Sequence, residues 1–118
     1  METLNVLVIE DDADARFLAS ELLRTAGCAV REAEHGQRAL EVLLIERWRP
    51  RVIVLDVAMP VMDGFTFLAR KRQVRELAAI PVVVVSASVS TPIRDAAFVF
   101  TKPVDPELLL NAVLQLAA

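Results

Sequence analysis

Residues 52–56, Val-Ile-Val-Leu-Asp, are four branched apolar side chains that end on a carboxylate. A run without polar alternation suits a strand covered on both faces, the condition of a parallel sheet sandwiched between helices. The same pattern recurs on either side of it. Upstream, Leu4 to Ile9 (LNVLVI) ends on Glu10, Asp11 and Asp12; downstream, Val82 to Val85 (VVVV) ends on Ser86. Between these runs the apolar spacing becomes helical. A helix from Asp14 places Phe17, Leu18, Leu22 and Leu23 on its apolar side and stops at Gly27. A weaker strand, Cys28 to Ala33, precedes a helix from Gln37 to Trp48 with Leu40, Leu43, Leu44 and Trp48 inward, ended by Pro50. A third helix, Phe65 to Leu77, is capped by Asp63. Pro92 opens a short helix, Phe98 to Phe100 forms a fifth strand, and Asp105 to Leu116 a last helix with Leu108, Leu109, Ala112, Val113 and Leu116 facing the core. Strands alternating with helices predict an α/β fold with a parallel sheet.

The chain has 118 residues, 55% of them apolar, with 13 basic and 16 acidic side chains and a net charge of −3. This predicts one domain over residues 1–118, with no output domain attached. Lys and Arg are scattered and aromatic residues are few, which argues against nucleic acid as a direct partner. The single cysteine, Cys28, has no internal disulfide partner and reads as a core residue. Met1 to Asn5 lacks the basic and apolar regions of a signal peptide, and the apolar stretch Leu77 to Val85 is broken by Pro81 and too short to cross a bilayer, so the expected setting is cytoplasmic, without membrane insertion.

Ligands of open parallel sheets bind beyond the carboxyl ends of the strands. Four of the five strands deliver charged or hydroxyl groups there: Glu10, Asp11 and Asp12 after the first, Asp56 after the third, Ser86 after the fourth, and Thr101 and Lys102 after the fifth. Carboxylates that converge repel unless a cation or proton intervenes, and a hard divalent ion such as Mg²⁺ suits oxygen ligands. With Lys102 and Ser86 alongside, such a site suits phosphoryl transfer to an aspartate. Taken singly, each residue has a plainer reading. The acidic trio can cap a helix, Asp56 and Ser86 can sit in turns, and Lys102 can be a solvated charge. Their joint placement favours chemistry. His35 lacks a second ligand at metal spacing and reads as an exposed residue at the start of the second helix; Trp48 and the phenylalanines read as packing.

The segments VLVIEDD (6–12), VIVLDVAMPVMDG (52–64), IPVVVVSAS (80–88) and FTKP (100–103) resemble the receiver domains of bacterial two-component response regulators, the CheY-like proteins. The resemblance covers nearly the whole chain. It implies a flavodoxin-like three-layer fold with a five-stranded parallel sheet of order 2-1-3-4-5. Asp56 is then the phosphoacceptor; Glu10, Asp11, Asp56 and the backbone carbonyl of Ala58 hold Mg²⁺ or another divalent ion such as Mn²⁺. Lys102 contacts the phosphoryl group, Ser86 is the switching hydroxyl, Asp12 is mainly a cap, and the Lys102–Pro103 peptide is cis. Ala58 and Ser88 stand where the family tunes the lifetime of the phosphoryl group. The implied partners are a sensor histidine kinase or histidine phosphotransfer protein and an unidentified downstream target.

Two departures stand out. Val99 occupies the position, three residues before the lysine, where most receivers carry an aromatic residue; Phe98 and Phe100 flank it on the opposite face of the strand. Only fifteen residues separate Ser86 from Lys102, so the fourth helix, between strands four and five, is expected to be shortened or missing. Three functions compete: a stand-alone phosphorylatable response regulator, a receiver-like scaffold module whose output does not depend on phosphorylation, and a flavodoxin-like cofactor enzyme. The last is disfavoured, because the acidic loop after the first strand repels a cofactor phosphate.

Overall fold

The computed structural model describes residues 3–59, 62–87 and 93–118. Five parallel strands, β1 (Asn5–Ile9), β2 (Ala29–Ala33), β3 (Val52–Leu55), β4 (Val82–Ser86) and β5 (Phe98–Thr101), form one sheet in the order β2-β1-β3-β4-β5. The helices are α1 (Ala13–Thr25), α2 (Gly36–Leu40, continued as a π-helix over Glu41–Ile45), α3 (Gly64–Arg72), α4 (Arg75–Ala78) and α5 (Pro106–Ala117). Side chains alternate between the two faces of the sheet. Leu7, Ile9, Ile53, Leu55, Val82 and Val84 pack with Leu43, Phe67 and Leu77 from α2 to α4, while Val6, Val8, Val52, Val54, Val83 and Val85 pack with Leu23, Leu109 and Val113 from α1 and α5. Each such fully buried side chain contributes about 1.5–3 kcal/mol.

Caps and stops arise where the sequence places them. Asp12, Asp63 and Asp105 accept from the backbone N–H groups of Ala15, Thr66 and Glu107, each at 2.8 Å, and Gly27 ends α1 with φ +97°. The second helix stops short of Trp48: Glu46 N–H reaches Glu41 O at 3.0 Å, a π turn, and Arg47 takes φ 57°. The expected third helix divides, because Val74 adopts an extended backbone (φ −105°, ψ 114°) and packs against the core between α3 and α4. Lys71 is buried there; its Nζ donates to Ala78 O at 3.2 Å, and burial pulls its pKa down. The start of the expected helix at Pro92 lies outside the described residues. Among those described, residues 93–97 hold one turn, closed by Ala96 N–H to Ile93 O at 3.1 Å, and Arg72 ties it to α3 through Asp95 at 2.5 Å.

Some apolar residues expected inside lie outside. Phe17 (58% exposed), Leu18 (68%), Leu44 (42%) and Leu108 (54%) face solvent. Helical spacing marks an apolar stripe wider than the surface a sheet can cover, so its margins stay exposed. His35 is half-buried, with Nδ1 accepting from Arg38 N–H at 3.1 Å as the cap of α2. A polar residue at a helix start serves that purpose, which corrects its reading as simply exposed.

The loop after β3 turns back on itself at Gly64, whose N–H donates to Val57 O at 2.9 Å. A Cβ there would lie 2.4 Å from Val57 Cα, a contact with backbone that cannot swing aside. Gly64→Ala is therefore expected to cost about 1–3 kcal/mol, exceeding the loss of the neighbouring cap in Asp63→Ala, about 1 kcal/mol. Urea denaturation of both variants checks this, and a Gly64→Ala midpoint equal to wild type contradicts it.

Candidate functional site

The sheet order places the site. From β1 the chain runs outward to β2 and returns on the other side of β1 as β3, so the loops after β1 and β3 diverge over adjacent strand ends and leave a crevice. Parallel register holds these ends level: Ile9 pairs with Leu55, and Asp56 N–H donates to Ile9 O at 3.0 Å. Glu10 and Asp56 consequently emerge side by side, and both are buried. Asp11, the next residue, is exposed. One carboxylate oxygen from each of Glu10, Asp11 and Asp56 lies within 4.8 Å of the others.

Lys102 reaches this cluster from the end of β5. Its N–H donates to Ser86 O at 2.9 Å, which aligns the ends of β4 and β5, and its Nζ donates to Glu10 Oε1 at 2.5 Å and Asp56 Oδ2 at 3.1 Å. The Lys102–Pro103 peptide is cis. The other Asp56 oxygen, Oδ1, accepts from Ala58 N–H at 2.9 Å. Ser86 sits at the end of β4, and its Oγ is buried with no hydrogen-bond partner among the described residues. A buried hydroxyl without a partner is costly, so its orphaned state marks a place for an incoming polar group.

Electrostatics at the crevice are finely set. Burial raises the Glu10 pKa to about 7; the nearby Asp56 charge pushes the same way, while the hydrogen bonds from Lys102 and Asp12 N–H oppose them. Burial disfavours the Lys102 charge, yet its hydrogen bonds to Glu10 and Asp56 outweigh that and raise its pKa. One ammonium thus faces two buried carboxylates, and a further cation is electrostatically favoured. The donor set fits Mg²⁺: three carboxylates, near enough to share one small ion or its waters, supply hard oxygen ligands.

The structure therefore brings together Glu10, Asp11, Asp56 and Lys102, and sets Ser86 on the strand beside Lys102. Ala58 stands two residues beyond Asp56, bonded to it through its N–H; Ser88 lies outside the described residues. Asp12 caps α1 and also donates its N–H to Glu10 Oε2 at 3.2 Å. The sequence sets Arg16 just before the apolar positions of α1, and in the structure its guanidinium donates to Glu10 O at 2.8 Å. Its place four residues after the Asp12 cap, one turn into the helix, is the signal that aims it back at the loop. Beside the site, an apolar cleft of about 1050 Å³ lies between α1 and α5, lined by Leu18, Leu22, Leu109 and Leu110 and reaching Glu10, Asp56 and Lys102. On the opposite side of β5 from the stacked Phe98 and Phe100, whose ring centroids are 6.1 Å apart, Val99 is 39% exposed. Among the described residues, no helix is long and apolar enough to cross a membrane.

The chain is similar to known proteins in sequence and in fold. The model of the response regulator receiver domain matches residues 6–114. The two-component response regulator ORR3 of Oryza sativa subsp. indica is 39% identical over 90 residues, covering 76% of this chain and 67% of that protein. A protein-glutamate methylesterase/protein-glutamine glutaminase of Myxococcus xanthus is 37% identical over 116 residues, covering 90% of this chain but 31% of that enzyme. Among solved structures, the chemotaxis protein CheY4 of Vibrio cholerae superimposes with a TM-score of 0.88 at 29% identity, covering 98% of this chain and 99% of that one. With the sheet order and an acidic crevice already in place, the match over 6–114 settles the family: the chain belongs to the response regulator receiver domains.

Proposed function

We propose that the chain accepts a phosphoryl group on Asp56 from a phosphohistidine of a sensor histidine kinase or histidine phosphotransfer protein, and signals by protein–protein contact with a downstream target. The observation that carries this reading is the buried Asp56 carboxylate held between Ala58 N–H and Lys102 Nζ, next to two further acidic residues. An Asp56 carboxylate oxygen forms the new O–P bond as the N–P bond to the donor imidazole breaks, and the imidazole leaves with the bonding electrons and takes up a proton. Ala58 N–H pins Oδ1, so the carboxylate cannot rotate freely and Oδ2 stays turned toward Lys102. Glu10, Asp11, Asp56 and the carbonyl of Ala58 would hold Mg²⁺ or Mn²⁺. Such an ion, when bound, supplies positive charge for the equatorial phosphoryl oxygens. Lys102 adds a second positive charge once its bonds to Glu10 and Asp56 loosen, and the orphan Ser86 hydroxyl gains a partner by turning to a phosphoryl oxygen. The exposed Phe17 and Leu18 on α1, beside the cleft that reaches Asp56, support a docking face for the donor.

A specific observation favours the scaffold reading for the output: Val99 offers no aromatic ring to report the movement of Ser86. The two readings divide at phosphorylation-dependent change and share the same site.

Incubated with Mg²⁺ and acetyl phosphate, the protein is expected to gain one phosphoryl mass, and Asp56→Asn none. Intact-mass spectrometry decides, and equal labelling of both contradicts the assignment. A second expectation concerns protons. Glu10 has a folded pKa of about 7, above its ordinary 4.5. Between those values the folded state binds more protons than the unfolded one, so this group's contribution to stability falls as pH rises and levels off above about 7. Glu10→Gln, which stays neutral, should therefore gain stability relative to wild type between about pH 5 and pH 8. Urea denaturation at both pH values measures this; a stability of Glu10→Gln minus that of wild type which stays constant or falls from about pH 5 to pH 8 is the contrary result.

A further inference from the structure

Arg16 lies in the first turns of α1 and is half-buried. Its Nη1 donates to the main-chain carbonyl of Glu10 at 2.8 Å and approaches that of Asp11 at 3.4 Å. These carbonyls belong to the two consecutive residues whose side chains form the acidic pair. We infer that Arg16 is a positioning residue for that pair: it fixes the peptide planes of the loop after β1 so that the Glu10 and Asp11 carboxylates converge with Asp56 on a divalent cation. The inference rests on the phosphoacceptor reading above.

Two cationic side chains thus bond the loop in different ways. Lys102 bonds the carboxylate oxygens of Glu10 and Asp56, the atoms a cation or phosphoryl group would compete for, so those bonds must rearrange on loading. Arg16 bonds main-chain carbonyls and leaves the carboxylates free, so its grip can persist through loading, phosphorylation and release. Its charge also offsets some of the repulsion among three acidic side chains without occupying their ligand positions. The Asp12 cap holds the far end of the loop through Ala15 N–H, while Asp12 N–H holds Glu10 Oε2. Between these anchors the Glu10 and Asp11 peptides have Arg16 as their side-chain donor. Freed of it, the loop has more backbone states to lose when a cation binds, and affinity falls by that entropy.

The test measures binding of Mg²⁺ alone to the full chain, by calorimetry and by titration shifts of the Asp11 and Asp12 amides, for wild type, Arg16→Gln, Arg16→Lys and Arg24→Gln. Arg24 also lies on α1 and bonds a strand carbonyl, Val30 O, away from the loop, so it controls for general loss of an α1 clasp. Arg16→Gln is expected to weaken Mg²⁺ binding by about five- to tenfold, a lost charge-assisted bond. Arg16→Lys should restore part of the affinity, and Arg24→Gln should stay within about twofold of wild type. Equal affinity of Arg16→Gln and wild type overturns the inference, as does an equal loss in Arg24→Gln. If Arg16→Gln does not fold, Arg16→Lys carries the comparison: a lysine is one bond shorter than arginine, so its Nζ falls short of the place Nη1 takes against Glu10 O, and unchanged affinity there overturns the inference too. Absence of Mg²⁺ binding to wild type also overturns it. Phosphorylation of wild type by acetyl phosphate is followed in parallel. Weakened Mg²⁺ binding in Arg16→Gln with no phosphorylation of wild type sinks the phosphoacceptor reading and sustains the positioning role; phosphorylation with unchanged Mg²⁺ affinity does the reverse.

Discussion

Two carboxylates buried side by side at the ends of adjacent parallel strands are the constraint on which the rest of the structure depends. Glu10 and Asp56 are placed there by the register of β1 and β3 and cannot separate without breaking the centre of the sheet. Burial of like charges is tolerated when protons or opposite charges compensate. Here Lys102 bonds both carboxylates, and burial raises the Glu10 pKa to about 7. The alignment of β4 with β5 through Ser86 O, the course of the chain through Lys102 and Pro103, and the return of α5 over the α1 face all serve to bring one ammonium to that place. The crevice is thus stable enough to persist and electrostatically open to a further cation.

Much of this was legible in the chain because buried parallel strands leave an unusually plain signature. Val52 to Leu55 was found at its full extent, and β1, β2, β4 and β5 to within a residue at one end. The residues following those strands assembled as expected, since a common strand direction brings every carboxyl end to one edge. The misreadings have physical reasons. Helical periodicity treats all apolar residues on one arc as core, and so placed Phe17, Leu18, Leu44 and Leu108 inside when the sheet could cover only the middle of the arc. The π turn after Leu40 and the extended Val74 depend on what each segment packs against, which no local pattern carries. The bond from Arg16 to main-chain carbonyls leaves no trace in residue type, and only its position one turn past the Asp12 cap signals it.

The surface of β5 is where this chain departs from the pattern that the resemblance implies. Phe98 and Phe100 stack on the α1–α5 side, so the aromatic rings of the strand serve the core there, and the α3 side presents an exposed Val99. Residues 93–97 are held to α3 by the Arg72–Asp95 pair instead of standing as a helix. A movement of Ser86 would pass through Val84, Val99 and that turn, all of them small or tethered groups. In the proposed reading, phosphoacceptor chemistry and output are therefore separable: the first would depend on the crevice, the second on a face with little bulk to move.

The claim that joins the two is that a phosphoryl group at Asp56 draws Lys102 and Ser86 onto itself and so alters β4 and β5. Amide spectra of the Mg²⁺-loaded protein with and without beryllofluoride, a phosphoryl mimic, test it most directly. The account predicts shifts at Asp56, Ser86 and Lys102 that extend to Val99, and that vanish in Asp56→Asn. Spectra unchanged by beryllofluoride, or changed equally in Asp56→Asn, would contradict it.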